Sequence, residues 1–320
     1  MSATPRRPPG AILAVLGFVA ALASPGAPAA AAEGVTLRYA LRPGSVYEGT
    51  MRAKLATHVT MEGLPEEAAA MTRALLGDAS QSTELRTILR AGDPASDHGL
   101  PVRFTLAGGV MEMKLAGQTI EIPGAREALA ASPSWSGRVS PDGRTLEIDP
   151  GSEEIAPGLP PDTADRVMQA MPPLPERKLA PGDSFEARSR VAVPGLPIAG
   201  RLRVASRVLF TLRSVGEGEA NFDTESTVSS EGSESTPRMK VKLSGQGAGH
   251  ATFDLREGHF TSMSADVKID AVIEVPLPTE PGVEPEGGAA PPGVVTIRAT
   301  IQGPTEITMS RKIAPASPGF

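Results

Sequence analysis

The residues that could move a proton or hold a metal are few and scattered. The four histidines are His58, His98, His250 and His259. None stands in His-x-x-x-His or His-Glu-x-x-His spacing, the arrangement that puts two imidazoles on one helix face for a metal. His250 and His259 flank one predicted hairpin, where they could meet across it or stand as two exposed strand residues; the second reading is preferred. Cysteine is absent, which removes thiolate chemistry and disulfides alike. Gly-x-Ser-x-Gly, Ser-x-x-Lys, phosphate-loop and dinucleotide signatures are missing as well. Glu153, Glu154, Asp223 and Glu225 belong to a set of 37 acidic residues and read as solvated surface charge. Pro278-Thr279-Glu280-Pro281 fits Pro-x-x-Pro, yet its Pro/Gly/Glu-rich surroundings read as a spacer. These residues predict no catalytic constellation, metal site or cofactor.

One pattern would bind rather than react. Met239, Val241 and Leu243 begin an apolar face that continues as Gly245, Gly247, Gly249, Ala251, Phe253 and Leu255. Three successive positions on that face are glycine, while Arg238, Lys240, Lys242 and Gln246 take the other face. Glycine inside a strand weakens it and marks either a sharp bend or the close approach of something else. One reading is a strongly coiled strand. The other is a groove floor that leaves room for a helix or an apolar ligand, with Val241, Gly245, Gly247, Gly249 and Phe253 as its candidate lining.

Such a strip needs a sheet to carry it, and the chain reads as sheet. From Tyr47 the odd positions Met51, Ala53, Leu55, Val59 and Met61 are mostly apolar, and the even ones, from Glu48 to Thr60, mostly polar. This period of two marks an antiparallel strand with one buried face. Phe185–Val193, Leu202–Leu212, Met263–Val275 and Val295–Met309 repeat it, the last broken at Gly303-Pro304, which predicts an edge strand or a bulge. Pro141-Asp142-Gly143, Gly216-Glu217-Gly218 and Arg256-Glu257-Gly258 read as hairpin turns. Helices are predicted from Pro65 to Gly77 and from Thr163 to Met171, with a short helical turn near Ala125–Ala130. The expected fold is mainly β: a large curved antiparallel sheet, half-barrel-like, with two or three short helices. Leu41-Arg42-Pro43-Gly44-Ser45-Val46-Tyr47-Glu48 matches Leu179-Ala180-Pro181-Gly182-Asp183-Ser184-Phe185-Glu186. That match suggests two related lobes, 33–155 and 176–313, joined by a helical connector at 156–175, with 276–293 as a flexible Pro/Gly loop and 314–320 as a tail.

Residues 1–32 read as a secretory signal peptide: Arg6-Arg7, an apolar run from Ala11 to Leu22, and small residues at Ala27-Pro28-Ala29 and Ala30-Ala31-Ala32. The run is shorter than the roughly 20 residues of a membrane span. The mature chain is therefore expected outside the cytoplasm, in the periplasm or the extracellular space, without a transmembrane segment. Its removal takes the net charge from −6 to −8, because residues 1–32 hold two arginines and no acid. An acidic chain without a basic stripe excludes nucleic acid as a partner. Phe320 ends the chain as an aromatic ends an outer-membrane barrel, but Ala314, Ala316 and Pro318 do not alternate as a spanning strand would.

The Leu-x-Pro-Gly-x-x-aromatic strand start, the Gly-x-Gly-x-Gly strand and the hairpin from Asp254 to Gly258 resemble an uncharacterised family of exported bacterial β-rich proteins, many of them lipoproteins. This chain departs from them in lacking the lipid-bearing cysteine. The architecture looks like that of periplasmic lipoprotein carriers, whose resemblance implies a curved sheet with helices in its concavity. The leading expectation is non-catalytic binding of an apolar or lipid-like ligand, or of an envelope protein; the alternative is a structural envelope protein without a small ligand.

Overall fold

The computed structural model describes residues 34–67, 70–71, 78–93, 99–115, 118–121, 129–131, 133–143, 145–148, 171–193, 202–231, 240–276 and 293–312. Twelve strands form one antiparallel sheet. The first six are β1 (Val46–Glu62), β2 (Asp78–Ala91), β3 (Leu100–Leu115), β4 (Gln118–Glu121), β5 (Ser134–Val139) and β6 (Thr145–Ile148). The second six are β7 (Ser184–Val193), β8 (Leu202–Gly216), β9 (Glu219–Glu231), β10 (Lys240–Asp254), β11 (His259–Pro276) and β12 (Val294–Lys312). The chain enters the sheet at its centre. From β1 it steps outward through β2, β3 and β5 to β6, with β4 paired to the far half of β3. It restarts at the opposite edge with β7 and steps back until β12 lies beside β1. The sheet is open, with β6 and β7 at its two edges rather than paired into a barrel.

Period-two sequence produces one buried face. Along β1, Tyr47, Ala53 and Leu55 are buried while Glu48, Arg52, Lys54 and His58 are exposed. The sheet curls toward that face. Phe210 on β8 and Phe260 on β11 are three strands apart, about 14 Å across a flat sheet, yet their ring centroids lie 5.6 Å apart. Tyr47 on β1 and His259 on β11 are two strands apart and meet edge to face at 5.0 Å. Strands of up to 19 residues must coil to pack at all, so curvature follows from their length.

The turns that open β1 and β7 are alike. Gly44 N–H donates to Ala91 O at 2.9 Å, Ser45 N–H to Arg42 O at 3.0 Å and Ala91 N–H to Ser45 O at 3.0 Å. Gly182 N–H donates to Leu212 O at 2.7 Å, Asp183 N–H to Ala180 O at 2.9 Å and Leu212 N–H to Asp183 O at 2.8 Å. Gly44 and Gly182 both have positive φ, 72° and 91°, which an L side chain resists. Tyr47 then pairs with Leu89 as Phe185 pairs with Phe210, so the two aromatics hold equivalent inward positions. A strap over residues 34–42 links the β1–β6 and β7–β12 halves of the sheet. Val35 bridges Leu179, Tyr39 N–H donates to Pro141 O at 2.7 Å, and Ala40 N–H donates to Gly258 O at 3.1 Å.

Three expectations are corrected or completed here. β12 is an interior strand, not an edge, despite Pro304. Gly303 and Pro304 interrupt its pairing with β1 between Ala53 and Ala56 without shifting the register, since proline has no N–H to give. Helical residues are seen at Glu66, Glu67, Ala70 and Met71 and at Leu129 and Ala130. Residues 1–32, most of the connector at 156–175, the loop at 277–292 and the tail at 314–320 lie outside the described residues.

Candidate functional site

β10 carries the glycine strip, and its parity matches the sequence reading. Val241, Leu243, Gly249, Ala251 and Phe253 are buried, Gly245 and Gly247 are half-buried, and Lys240, Lys242, Ser244, Gln246, Ala248 and His250 are exposed. The five candidate residues are spread along the strand. Val241 and Phe253 are separated by about 40 Å of strand and belong to different apolar clusters, Val241 with Leu243, Val267 and Ile269, Phe253 with Phe210, Phe222 and Phe260. Gly245, Gly247 and Gly249 lie between those clusters.

The register explains two of the glycines. A Cβ at Gly249 would collide with the Ser264 carbonyl oxygen on β11. One at Gly245 would stand 3.0 Å from the Lys268 carbonyl oxygen and 3.0 Å from the Ile269 side chain. Glycine therefore lets β11 close in on β10 at these points.

Sequence reasoning missed how far this run of small side chains extends, most of it buried. Gly249 pairs with Thr224 on β9 and Ala265 on β11; Ala265 pairs with Thr305 on β12, Thr305 with Ala53 on β1, and Ala53 with Thr83 on β2. Thr224, Gly249, Ala265, Thr305, Ala53 and Thr83 make one row of small side chains across six adjacent strands, about 24 Å long. Phe210 on β8 and Met111 on β3 continue the register at its two ends. Beside this row runs Ser226–Gly247–Val267. Each contributor looks ordinary in its own strand, so only the pairing of distant segments reveals the row. Within it, Thr305 Oγ1 donates to Ala265 O at 3.1 Å, and Thr83 Oγ1 accepts from Gln81 Nε2 at 3.0 Å.

Histidines behave differently from one another. His250 points to the exposed face, 2.9 Å from Asp223, while His259 is 2 % exposed beside Tyr47, so the two neither meet across their hairpin nor both stand exposed as expected. The register shift opposite Thr252 and Phe253 places one extra residue on β11, and both His259 and Phe260 turn inward. Burial disfavours the imidazolium and pushes the His259 pKa below its ordinary value, against the opposing pull of the Glu257 carbonyl and of the Asp254 and Glu257 carboxylates. Arg42 at 2.7 Å and Arg311 at 3.0 Å already engage Glu257.

A lowered folded-state pKa favours the neutral form, so the unfolded chain binds the extra proton first. Stability contributed by neutral His259 is present above the ordinary histidine value of 6.5 and is lost as pH falls below it. Thermal melts from pH 7.5 down to 5 are expected to fall more steeply for wild type than for His259→Gln. Parallel curves would contradict this.

The exposed face is a lattice of ion pairs. Arg188 and Arg207 both hold Glu186, Arg52 reaches Glu84 at 3.1 Å, and Lys312 reaches Glu48 at 2.6 Å. Solvated pairs of this kind contribute little individually. Among the described residues no three His, Asp or Glu cluster so as to hold a metal, and no helix is long and apolar enough to cross a membrane. No protein family matches this chain, and no curated protein matches it.

Proposed function

We propose that the inner face binds an apolar, lipid-like ligand without catalysis, in an exported protein of the periplasm or extracellular space. The observation carrying this reading is the row of small side chains from Thr224 to Thr83, which runs between the apolar cluster around Phe253 and the one around Val267 and shares Ala53 and Ala265 with the latter. A floor without large side chains, walled by Val228, Val241, Leu243 and Val267, removes apolar ligand surface from water at roughly 25 cal/mol per Å². The upper inner face supports the same reading: Val59, Met61, Ile273, Val275, Ile297 and Ile301 point inward and are only half-buried. The resemblance to periplasmic lipoprotein carriers points in the same direction, and the signal-peptide pattern of residues 1–32 supports export. The structural-envelope alternative rests on a specific observation too, the close approach of β11 to Gly249, which gives that glycine a role without any ligand.

Gly247→Leu separates the two. In a ligand-binding recess the new side chain fills the floor beside Ser226 and Val267, and apolar-dye binding falls several-fold while the melting temperature holds. In a structural core it overpacks, costing about 1–3 kcal/mol, with no dye binding to lose.

A further inference from the structure

Ser226 is the inward hydroxyl of β9 at the glycine strip. It is 5 % exposed, its inward neighbours along the strand are Thr224 and Val228, and its direct partner on β10 is Gly247. Its Oγ has no hydrogen-bond partner. A buried hydroxyl without a partner costs free energy that a structural role would not require, since alanine fits the same space. The neighbouring row hydroxyls of Thr305 and Thr83 each have one.

The first lobe shows what this position holds when it only packs. Because Leu89 and Phe210 are equivalent, the register makes Phe104 the counterpart of Thr224, Leu106 of Ser226 and Trp135 of Gly249. Leu106 and Trp135 are 9 % and 2 % exposed and share one apolar cluster with Leu129. The first lobe thus places large side chains where the second lobe has small ones and a lone buried hydroxyl.

We propose that Ser226 Oγ donates a hydrogen bond to the ester or amide carbonyl of an acylated lipid, whose chain lies along the small-residue row. This rests on the binding function proposed above and adds to it the chemical class of the ligand. The walls beside the hydroxyl are apolar, Val208 on β8, Val228 on β9 and Val267 on β11, so they suit hydrocarbon on either side of one acceptor. Among the described residues, Ser226 Oγ is the fully buried side-chain oxygen on this strip without a partner, and a carbonyl oxygen accepts what it has to donate.

The test compares 1-oleoylglycerol with its 1-O-ether analogue, which differs by the missing carbonyl, using native mass spectrometry on the full mature chain. Wild type is expected to prefer the ester by roughly tenfold, the size of one buried hydrogen bond. Ser226→Ala abolishes that preference by weakening the ester alone, and Ser226→Thr, which keeps the hydroxyl, retains it. Ser226→Ala is also expected to melt at or above the wild-type temperature, because no bond is lost in the free protein. Equal binding of the two probes by wild type, a preference that survives in Ser226→Ala, or a lower melting temperature for that variant overturns the proposal and leaves the binding function standing. Binding of neither probe, together with no apolar-dye binding, removes the binding function itself and this assignment with it.

Discussion

Phe222→Ala is expected to destabilise the protein by about 3–5 kcal/mol, the range for deleting a buried aromatic ring. Phe222 is 1 % exposed and meets Phe185 at 5.8 Å, Phe210 at 6.2 Å and Phe260 at 6.4 Å between ring centroids. These rings come from β7, β8 and β11, so one truncation loosens packing across β7 to β11. Edge-to-face geometry adds to the loss, since the Phe222 ring stands at 89° to Phe185 and 85° to Phe210. Tyr39 of the strap packs on Phe253 and Phe260 in the same cluster, so the strap is expected to loosen as well. Chemical denaturation with an unchanged m-value and a midpoint shifted far to lower denaturant is the expected outcome. A shift corresponding to under about 1 kcal/mol would show that the four rings do not form a cooperative core.

Gly249→Ala produces the second large loss, and by a different mechanism. The added methyl meets the Ser264 carbonyl oxygen and the backbone at Ala265, which belong to the neighbouring strand and cannot rotate away. β10 and β11 must separate locally, breaking ladder bonds around the pair Gly249–Ala265. The cost reaches or exceeds the roughly 1–3 kcal/mol typical of overpacking. Amide hydrogen exchange is expected to quicken in β10 and β11 around these residues and to stay unchanged in β2 and β3. Uniform protection, with a melt like wild type, would mean that the two strands are free to spread there.

Much of the fold was legible because alternation is a local signal. Tyr47, Ala53, Leu55 and Val241 are inward as their parity demands, and Gly143 and Gly258 have the positive φ that their turns require. The repeated Leu-x-Pro-Gly start was legible too, and its two turns carry the same three hydrogen bonds. Strand order was not legible. β1 and β12 are joined by pairs such as Val46–Lys312, hundreds of residues apart, and nothing local to either strand names its partner. The run from Leu100 to Leu115 shows no single apolar stripe because Ala107 bulges between Leu106 and Gly108 and flips the parity beyond it. A bulge likewise hides that His259 and Phe260 both face inward. In the site, Gly245, Gly247 and Gly249 stood out on one strand, whereas Thr224, Ser226, Thr305, Ala53 and Thr83 acquire meaning only when five other strands are laid beside them.

Lipid extraction of protein purified from its own host tests whether the inner face carries a ligand. Native mass spectrometry of the intact chain before extraction is expected to show a bound mass, released on extraction and identified as an acylated, apolar compound. Wild type should then bind apolar dye in proportion to the ligand removed. A single unliganded mass in the native spectrum, with no dye binding before or after extraction, would contradict the account.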